Sequence, residues 1–117
     1  MSDFQNNEWE VRSKVWLEKN GVTIIGEGRL AILQAIDSFG SLTEAAKETG
    51  ISYRRIRGAI REMESAIGRP LVMTARGGQY GGGAKITAAG YEMIDRFRKI
   101  MEGSQETVNR RFRDIFY

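Results

Sequence analysis

Between Ser41 and Ile67 the sequence carries two helix starts separated by one glycine break, and few folds accommodate that arrangement. Ser41 supplies a capping hydroxyl with Glu44 three residues on, the reciprocal box that opens a helix. That helix is short, holds Ala45 and Ala46, and stops at Gly50. Ser52 then caps a longer helix running to about Ile67. Small residues at 45 and 46 let the two helices approach closely. A short capped helix, a glycine turn and a longer helix make a helix-turn-helix, whose second helix is the one that enters a DNA major groove.

The second helix can be tested by geometry. At about 100° per residue, Ile56, Ala59, Ile60, Met63 and Ile67 share one stripe. Arg54, Arg57 and Arg61 fall on the opposite face, with Gly58 among them and Arg55 at the flank. Glu62 and Glu64 lie outside the arginine stripe, so intrahelical pairing leaves it incompletely neutralised. Arginine's planar donor fork suits guanine O6/N7 and phosphate oxygens. Residues nearest the helix start reach base edges, which makes Ser52, Tyr53, Arg54 and Arg57 the candidates for direct readout. Arg61, further along, is placed on phosphate. Thr43 and Arg55 complete the helix-turn-helix set. Gly58 lets the helix backbone lie close to the groove, at some cost in helix stability.

The charge distribution agrees. Residues 1–40 hold four basic and six acidic side chains, a net of −2, whereas residues 41–90 hold eight and four, a net of +4. Positive charge gathered in the middle of a chain of net +3 points to one polyanion-facing surface rather than a basic tail.

On the N-terminal side, β-prone residues flank Lys19-Asn20-Gly21, a hairpin signal that predicts strands near residues 10–18 and 22–25. Leu30, Leu33, Ile36 and Phe39 then mark a helix ended by Gly40. On the C-terminal side Gly68-Arg69-Pro70 breaks the pattern. Leu71 to Thr74 and Lys85 to Thr87 read as short strands around a glycine loop at 77–83. A phosphate-binding loop needs lysine directly after glycine and then a hydroxyl. Here Ala84 separates Gly83 from Lys85, and Ile86 stands where the hydroxyl belongs. A wing fits better, with a mobile tip and with Arg76 and Lys85 at its base to touch DNA backbone or minor groove.

Thr87 caps a last helix whose apolar stripe is Ile94, Phe97, Met101, Val108, Phe112 and Ile115, close to a heptad seam with a gap at Ser104. Gly103-Ser104 is expected to bend or end it. A helix that continues past its own core must bury such a stripe, and a second copy is the economical partner. The six residues are therefore the candidate dimer seam, with Ile94 to Met101 partly in the protomer's own core and Val108, Phe112 and Ile115 across the two-fold axis. Trp9 and Trp16 are read as packing residues.

Composition narrows the function classes. The chain has 117 residues, 41% hydrophobic and 28% charged, the mix of one soluble globular domain. It has no cysteine and no histidine, which removes disulfides, Cys/His zinc sites, thiol nucleophiles and imidazole-dependent catalysis. No cofactor or metal is expected. The polar start MSDFQNNEWE is no signal peptide and no stretch has the apolar length of a membrane span, so a cytoplasmic protein is expected.

The run Ser41-Leu42-Thr43-Glu44-Ala45-Ala46-Lys47, then Gly50-Ile51-Ser52-Tyr53, then Ala59-Ile60-Arg61-Glu62-Met63 resembles the N-terminal domain of the ModE family of molybdate-responsive transcriptional regulators. Arg76-Gly77-Gly78 through Gly81-Gly82-Gly83-Ala84, with Thr87 and Gly90 after it, is similar to that family's wing and following helix. Arg69-Pro70-Leu71 and Thr87-Ala88-Ala89-Gly90 bear a looser likeness to LysR-type regulators. The resemblance covers about residues 22–100. It implies a winged helix-turn-helix that binds operator DNA as a homodimer, with Ser52 to Ile67 as the recognition helix. ModE regulators carry β-rich molybdate-binding modules after this domain. These 117 residues contain none, so no oxyanion effector is expected on this chain.

The expected fold is mainly α with small β: a winged helix-turn-helix with an N-terminal hairpin and a C-terminal dimerisation helix. It is expected as one domain over 1–117, with the helix-turn-helix at 41–68, the wing at 71–87 and the last helix at 88–116. The expected function is sequence-specific, homodimeric regulation of transcription, of the ModE type and on molybdenum- or tungsten-related genes. The alternative is a winged-helix interaction module whose basic face binds an acidic protein. With no His, no Cys and no carboxylate pair in a cleft-forming context, an enzyme is not expected.

Overall fold

The computed structural model describes residue 4, residues 8–75 and residues 82–117 of the chain. In order these form β1 (Leu17–Lys19), β2 (Val22–Ile25), α1 (Glu27–Phe39), α2 (Leu42–Thr49), α3 (Tyr53–Ile67), β3 (Val72–Thr74), β4 (Ala84–Ile86) and α4 (Ala88–Phe116). The strands make two antiparallel pairs, β1 with β2 and β3 with β4. This is a winged helix-turn-helix preceded by a hairpin, as the caps and breaks in the sequence predict.

The hairpin turns at Asn20 (φ 52°) and Gly21 (φ 80°), both in the left-handed region that a tight two-residue connection requires. Its first strand is shorter than expected. Only Leu17–Lys19 pair, because β2 has four residues and Leu17 already lies opposite its last, Ile25. Residues 11–16 keep a strand's alternation without a ladder: Val11, Ser13 and Val15 are less exposed than Arg12, Lys14 and Trp16.

The core is one cluster. Ile24 and Ile25 of β2, Leu30, Ile32, Leu33 and Ile36 of α1, Leu42 and Ala45 of α2, and Ile56, Ile60 and Met63 of α3 meet Leu71, Val72, Ala84 and Ile86 of the wing and Ile94 and Phe97 of α4. Each large apolar side chain buried there contributes about 1.5–3 kcal/mol. Phe39, expected on the α1 stripe, is instead exposed: it is the last residue of α1, and the helix buries Ile32 and Ala35 beside Leu33 and Ile36.

Three polar ties hold the wing to the helices. The Glu64 carboxylate near the end of α3 accepts hydrogen bonds from Leu71 N–H (2.7 Å) and Val72 N–H (3.2 Å). The Ala84 N–H of β4 donates to the Gly40 carbonyl between α1 and α2 at 2.8 Å. Thr87 caps α4 by accepting from Gly90 N–H (3.0 Å), while its hydroxyl donates to the Pro70 carbonyl (2.7 Å). Gly90 itself is fixed by crowding, since a Cβ there would overlap the Leu71 carbonyl oxygen and lie 2.6 Å from Ile86 Cγ2.

α4 continues through Gly103, so the expected stop at Gly103-Ser104 does not occur. Glycine lowers helix stability without breaking the hydrogen-bond ladder. Here ion pairs at Glu92–Arg96 (2.6 Å) and Asp95–Lys99 (3.0 Å) support the helix before it. Beyond it, the final turns are anchored by aromatic contacts. Phe116 lies 4.7 Å from Phe112, 5.8 Å from Trp9 and 5.9 Å from Phe4, ring centre to ring centre. The N-terminal segment thus reaches the far end of α4, a pairing with no local sequence signal.

Candidate nucleic-acid interface

α3 begins where the sequence places it. The Ser52 hydroxyl oxygen accepts from Arg55 N–H at 3.2 Å, and the preceding turn is closed by Gly50 (φ 71°), whose N–H donates to the Ala46 carbonyl at 3.0 Å. Left-handed backbone at that position lets α2 stop and α3 start within three residues, which sets the angle between them. α2 is capped in turn by Ser41, accepting from Glu44 N–H at 2.9 Å.

The apolar side of α3 buries Ile56, Ile60 and Met63, which turns the arginines outward. Arg54, Arg55 and Arg61 are exposed and Arg57 is half-buried. The two acidic residues of the helix are occupied elsewhere. Glu62 pairs with the Arg29 guanidinium of α1, which also donates to the Ile24 carbonyl (2.9 Å) and the Thr23 carbonyl (3.2 Å). Glu64 serves the wing backbone at Leu71 and Val72. Among the described residues, none of Arg54, Arg55, Arg57 and Arg61 has a carboxylate partner. Three exposed arginines and the half-buried Arg57, none neutralised by a carboxylate, leave the outer side of α3 basic.

The predicted residues do not all share one groove. Thr43 of α2, Tyr53 and Arg57 of α3, and Thr74, Ala75, Gly82 and Gly83 of the wing line an open groove of about 520 Å³. Arg57 and Arg61 continue along a second depression with Glu64, Val72 and Thr74. Arg55 lies on the other flank, in a groove of about 380 Å³ with Gly28, Arg29, Gly58 and Glu62. Ser52 is exposed beside them, its acceptor committed to the cap while its hydroxyl hydrogen remains available. Lys85 stands apart. It is paired across the sheet with Met73 and lines a groove with Asp37 and Tyr91 rather than with the arginines. Arg76 and the loop tip, expected to be mobile, lie outside the described residues.

Two features of this region were not legible in the sequence. Arg29 pairs with the Glu62 carboxylate, and Glu64 fastens the wing backbone onto α3. Arg29 and Glu62 lie 33 residues apart, and Glu64 reaches backbone amides beyond the end of its own helix, so neither contact leaves a spacing pattern.

The chain matches the family described as bacterial regulatory helix-turn-helix protein, lysR family, over residues 28–91. It belongs to the LysR family of bacterial regulatory helix-turn-helix proteins. The matched span takes in α1, the helix-turn-helix, the wing and the first turn of α4. Among curated relatives, this LysR-family chain is 38% identical over 89 residues to the molybdenum-pterin-binding protein MopB of Rhodobacter capsulatus, covering 76% of this chain and 33% of that one. It is 34% identical over 98 residues to MopA of the same organism, covering 84% and 37%. To the DNA-binding transcriptional dual regulator ModE of Escherichia coli K12 it is 36% identical over 78 residues, covering 67% and 30%. The chain therefore spans about a third of the length of these relatives. These matches bear out the resemblance to ModE-type regulators read from the helix-turn-helix and wing. Among solved structures, full-length CbnR, determined in complex with its target DNA, shares the fold with a TM-score of 0.55 at 24% identity, over 71% of this chain and 27% of CbnR.

The α4 candidates divide. Phe97 is fully buried and Ile94 nearly so, both in the protomer's own core, which removes them from a dimer surface. Met101 packs on the edge of that core. Val108 and Phe112 are half-buried, and Ile115 is 75% exposed although it lies on the side of α4 that Phe97 buries, about five turns along.

Among the described residues, no helix is long and apolar enough to cross a membrane.

Proposed function

We propose that this chain is a ModE-type transcriptional regulator that reads operator DNA through α3. The observation that carries the reading is the arginine face of α3, unpaired with any carboxylate among the described residues and presented by a capped helix-turn-helix. α3 lies in the major groove, where Arg57 and Arg54 with Tyr53 and Ser52 meet base edges. Arg61, Arg55 and Thr43 meet the flanking backbone. Lys85 and Arg76 carry the wing's contact to neighbouring phosphates. Helix-turn-helix, wing and last helix act as one domain, in the cytoplasm and without catalysis. The regulated genes concern molybdenum or tungsten, a reading supported by the names of the relatives.

The working unit in this proposal is a homodimer. Met101, Val108, Phe112 and Ile115 form the seam, and Ile94 and Phe97 back it from within each protomer. Two copies paired along α4 present two recognition helices to a two-fold operator. Selection of duplexes from a random library by the purified chain tests both parts. The expected result is enrichment of one inverted repeat. Enrichment of no sequence overturns specific DNA reading, and a single unrepeated half-site overturns the dimer.

A further inference from the structure

We propose that Gly58 is a specificity-determining residue, kept free of a side chain so that the α3 backbone can approach the base pairs; the inference rests on the DNA-reading role of α3. Three glycines at or near helix ends have internal reasons. Gly50 and Gly68 sit in left-handed backbone, and Gly90 is crowded by the Leu71 carbonyl and Ile86. Gly58 has neither. It is the sixth residue of a fifteen-residue helix with ordinary helical backbone, and a Cβ built on it meets nothing within 4 Å. The free protein thus has room for alanine there, and glycine makes α3 less stable than alanine would.

Its position gives the reason. On the helical wheel Gly58 falls among the arginines, flanked by Arg54 and Arg61 on one side and by Arg55 on the other. It lines an open groove with Arg55, Gly28 and the Arg29–Glu62 ion pair, and on the helical wheel it lies opposite the side that buries Ile56, Ile60 and Met63. A bare backbone at this point lets α3 sit deeper than a side chain allows, and depth decides whether the arginine forks reach base edges or stop at phosphate. The destabilising glycine therefore serves an occupant of the groove rather than the fold.

The test compares Gly58→Ala with Gly103→Ala. Gly103 is a second mid-helix glycine with nothing within 4 Å of a built Cβ, on the exposed surface of α4. Both variants are expected to raise Tm by roughly 3–4 °C, as a helical Gly-to-Ala change does in a domain of this size. Binding is then measured to the duplex that the wild-type chain selects from a random library. Gly58→Ala is expected to lose at least tenfold in affinity for that duplex and to change little on a scrambled one, while Gly103→Ala keeps wild-type affinity for both. Gly58→Ala with raised Tm and unchanged specific affinity overturns the inference. So does a lowered Tm, which makes Gly58 a packing residue. If the wild type selects no duplex, the DNA reading fails at its base, and that failure is recognisable from the wild-type chain alone.

Discussion

The Glu64 carboxylate accepts the Leu71 N–H at 2.7 Å, and through that bond the last turn of α3 sets where the wing begins. The same oxygen takes the Val72 N–H at 3.2 Å, so one acidic side chain satisfies two backbone donors at the start of β3. Hydrogen bonds to an ionised acceptor are among the stronger ones in proteins. They also commit Glu64 to the wing: it lines one depression with Arg61 without forming an ion pair to it.

Glu64→Ala is therefore expected to lower stability by about 1–3 kcal/mol in urea unfolding, with Glu64→Gln recovering part of the loss. Amide exchange gives the local readout. The Leu71 and Val72 amides should lose protection in Glu64→Ala, and unchanged protection would contradict the role assigned to the carboxylate.

Arg57 and Lys85 line different grooves, and their contributions to binding are expected to separate accordingly. Arg57→Ala should cost about 1–3 kcal/mol on the selected duplex and relax preference at one base position. Lys85→Ala should weaken selected and scrambled duplexes alike and reduce the salt slope by about one. Equal losses on both duplexes for both variants would reject this division.

Ile115 is exposed on the face of α4 that continues the buried Phe97, and Phe112 beside it is half covered. Ile115→Glu is expected to convert a dimer into a monomer at micromolar concentration in sedimentation, with the far-UV helix signal retained. A wild type that already sediments as a monomer sinks the seam.

Tyr91 donates its hydroxyl to the Asp37 carboxylate, and this raises the phenol's pKa above the usual 10.0, first through the hydrogen bond, then through desolvation and the negative charge of Asp37. Because the folded value is the raised one, the unfolded tyrosine ionises first as pH climbs. The pair's stabilisation is complete below about pH 10 and is lost as pH rises through the folded value. Asp37→Asn should move the Tyr91 titration, followed by its ring resonances, down towards 10. An unchanged midpoint would remove Asp37 as the cause.

Much of this architecture is legible in the residues because its signals are local. Ser41, Ser52 and Thr87 each act as the cap their positions announce, and Asn20-Gly21 turns the hairpin. The alternation of isoleucines and arginines along α3 is enough to assign its buried and open faces. What the residues do not announce is long-range. The pairing length of β1 depends on where β2 ends, so residues 10–16 look like strand without having a partner. Phe39 keeps the right spacing but stands at a helix end with nothing to bury it. Gly103 weakens α4 less than its local signal suggests, since distant contacts of Phe116 with Phe4 and Trp9 anchor the helix beyond it. Ile94 and Phe97 belong to a seam by periodicity and to the core by tertiary packing. Within the interface, the arginines stand out from the sequence alone. The partners that hold the helix's own carboxylates away from them, Arg29 for Glu62 and the wing backbone for Glu64, are visible only in three dimensions.

In the proposed function the basic face of α3 reads DNA sequence rather than merely attracting polyanions. Fluorescence anisotropy of the wild-type chain on its selected duplex and on a scrambled duplex, across a salt series, tests it most directly. The expected result is a preference of about a hundredfold or more that persists at physiological salt, above the non-specific background. Equal affinities that fall together steeply with salt would contradict it.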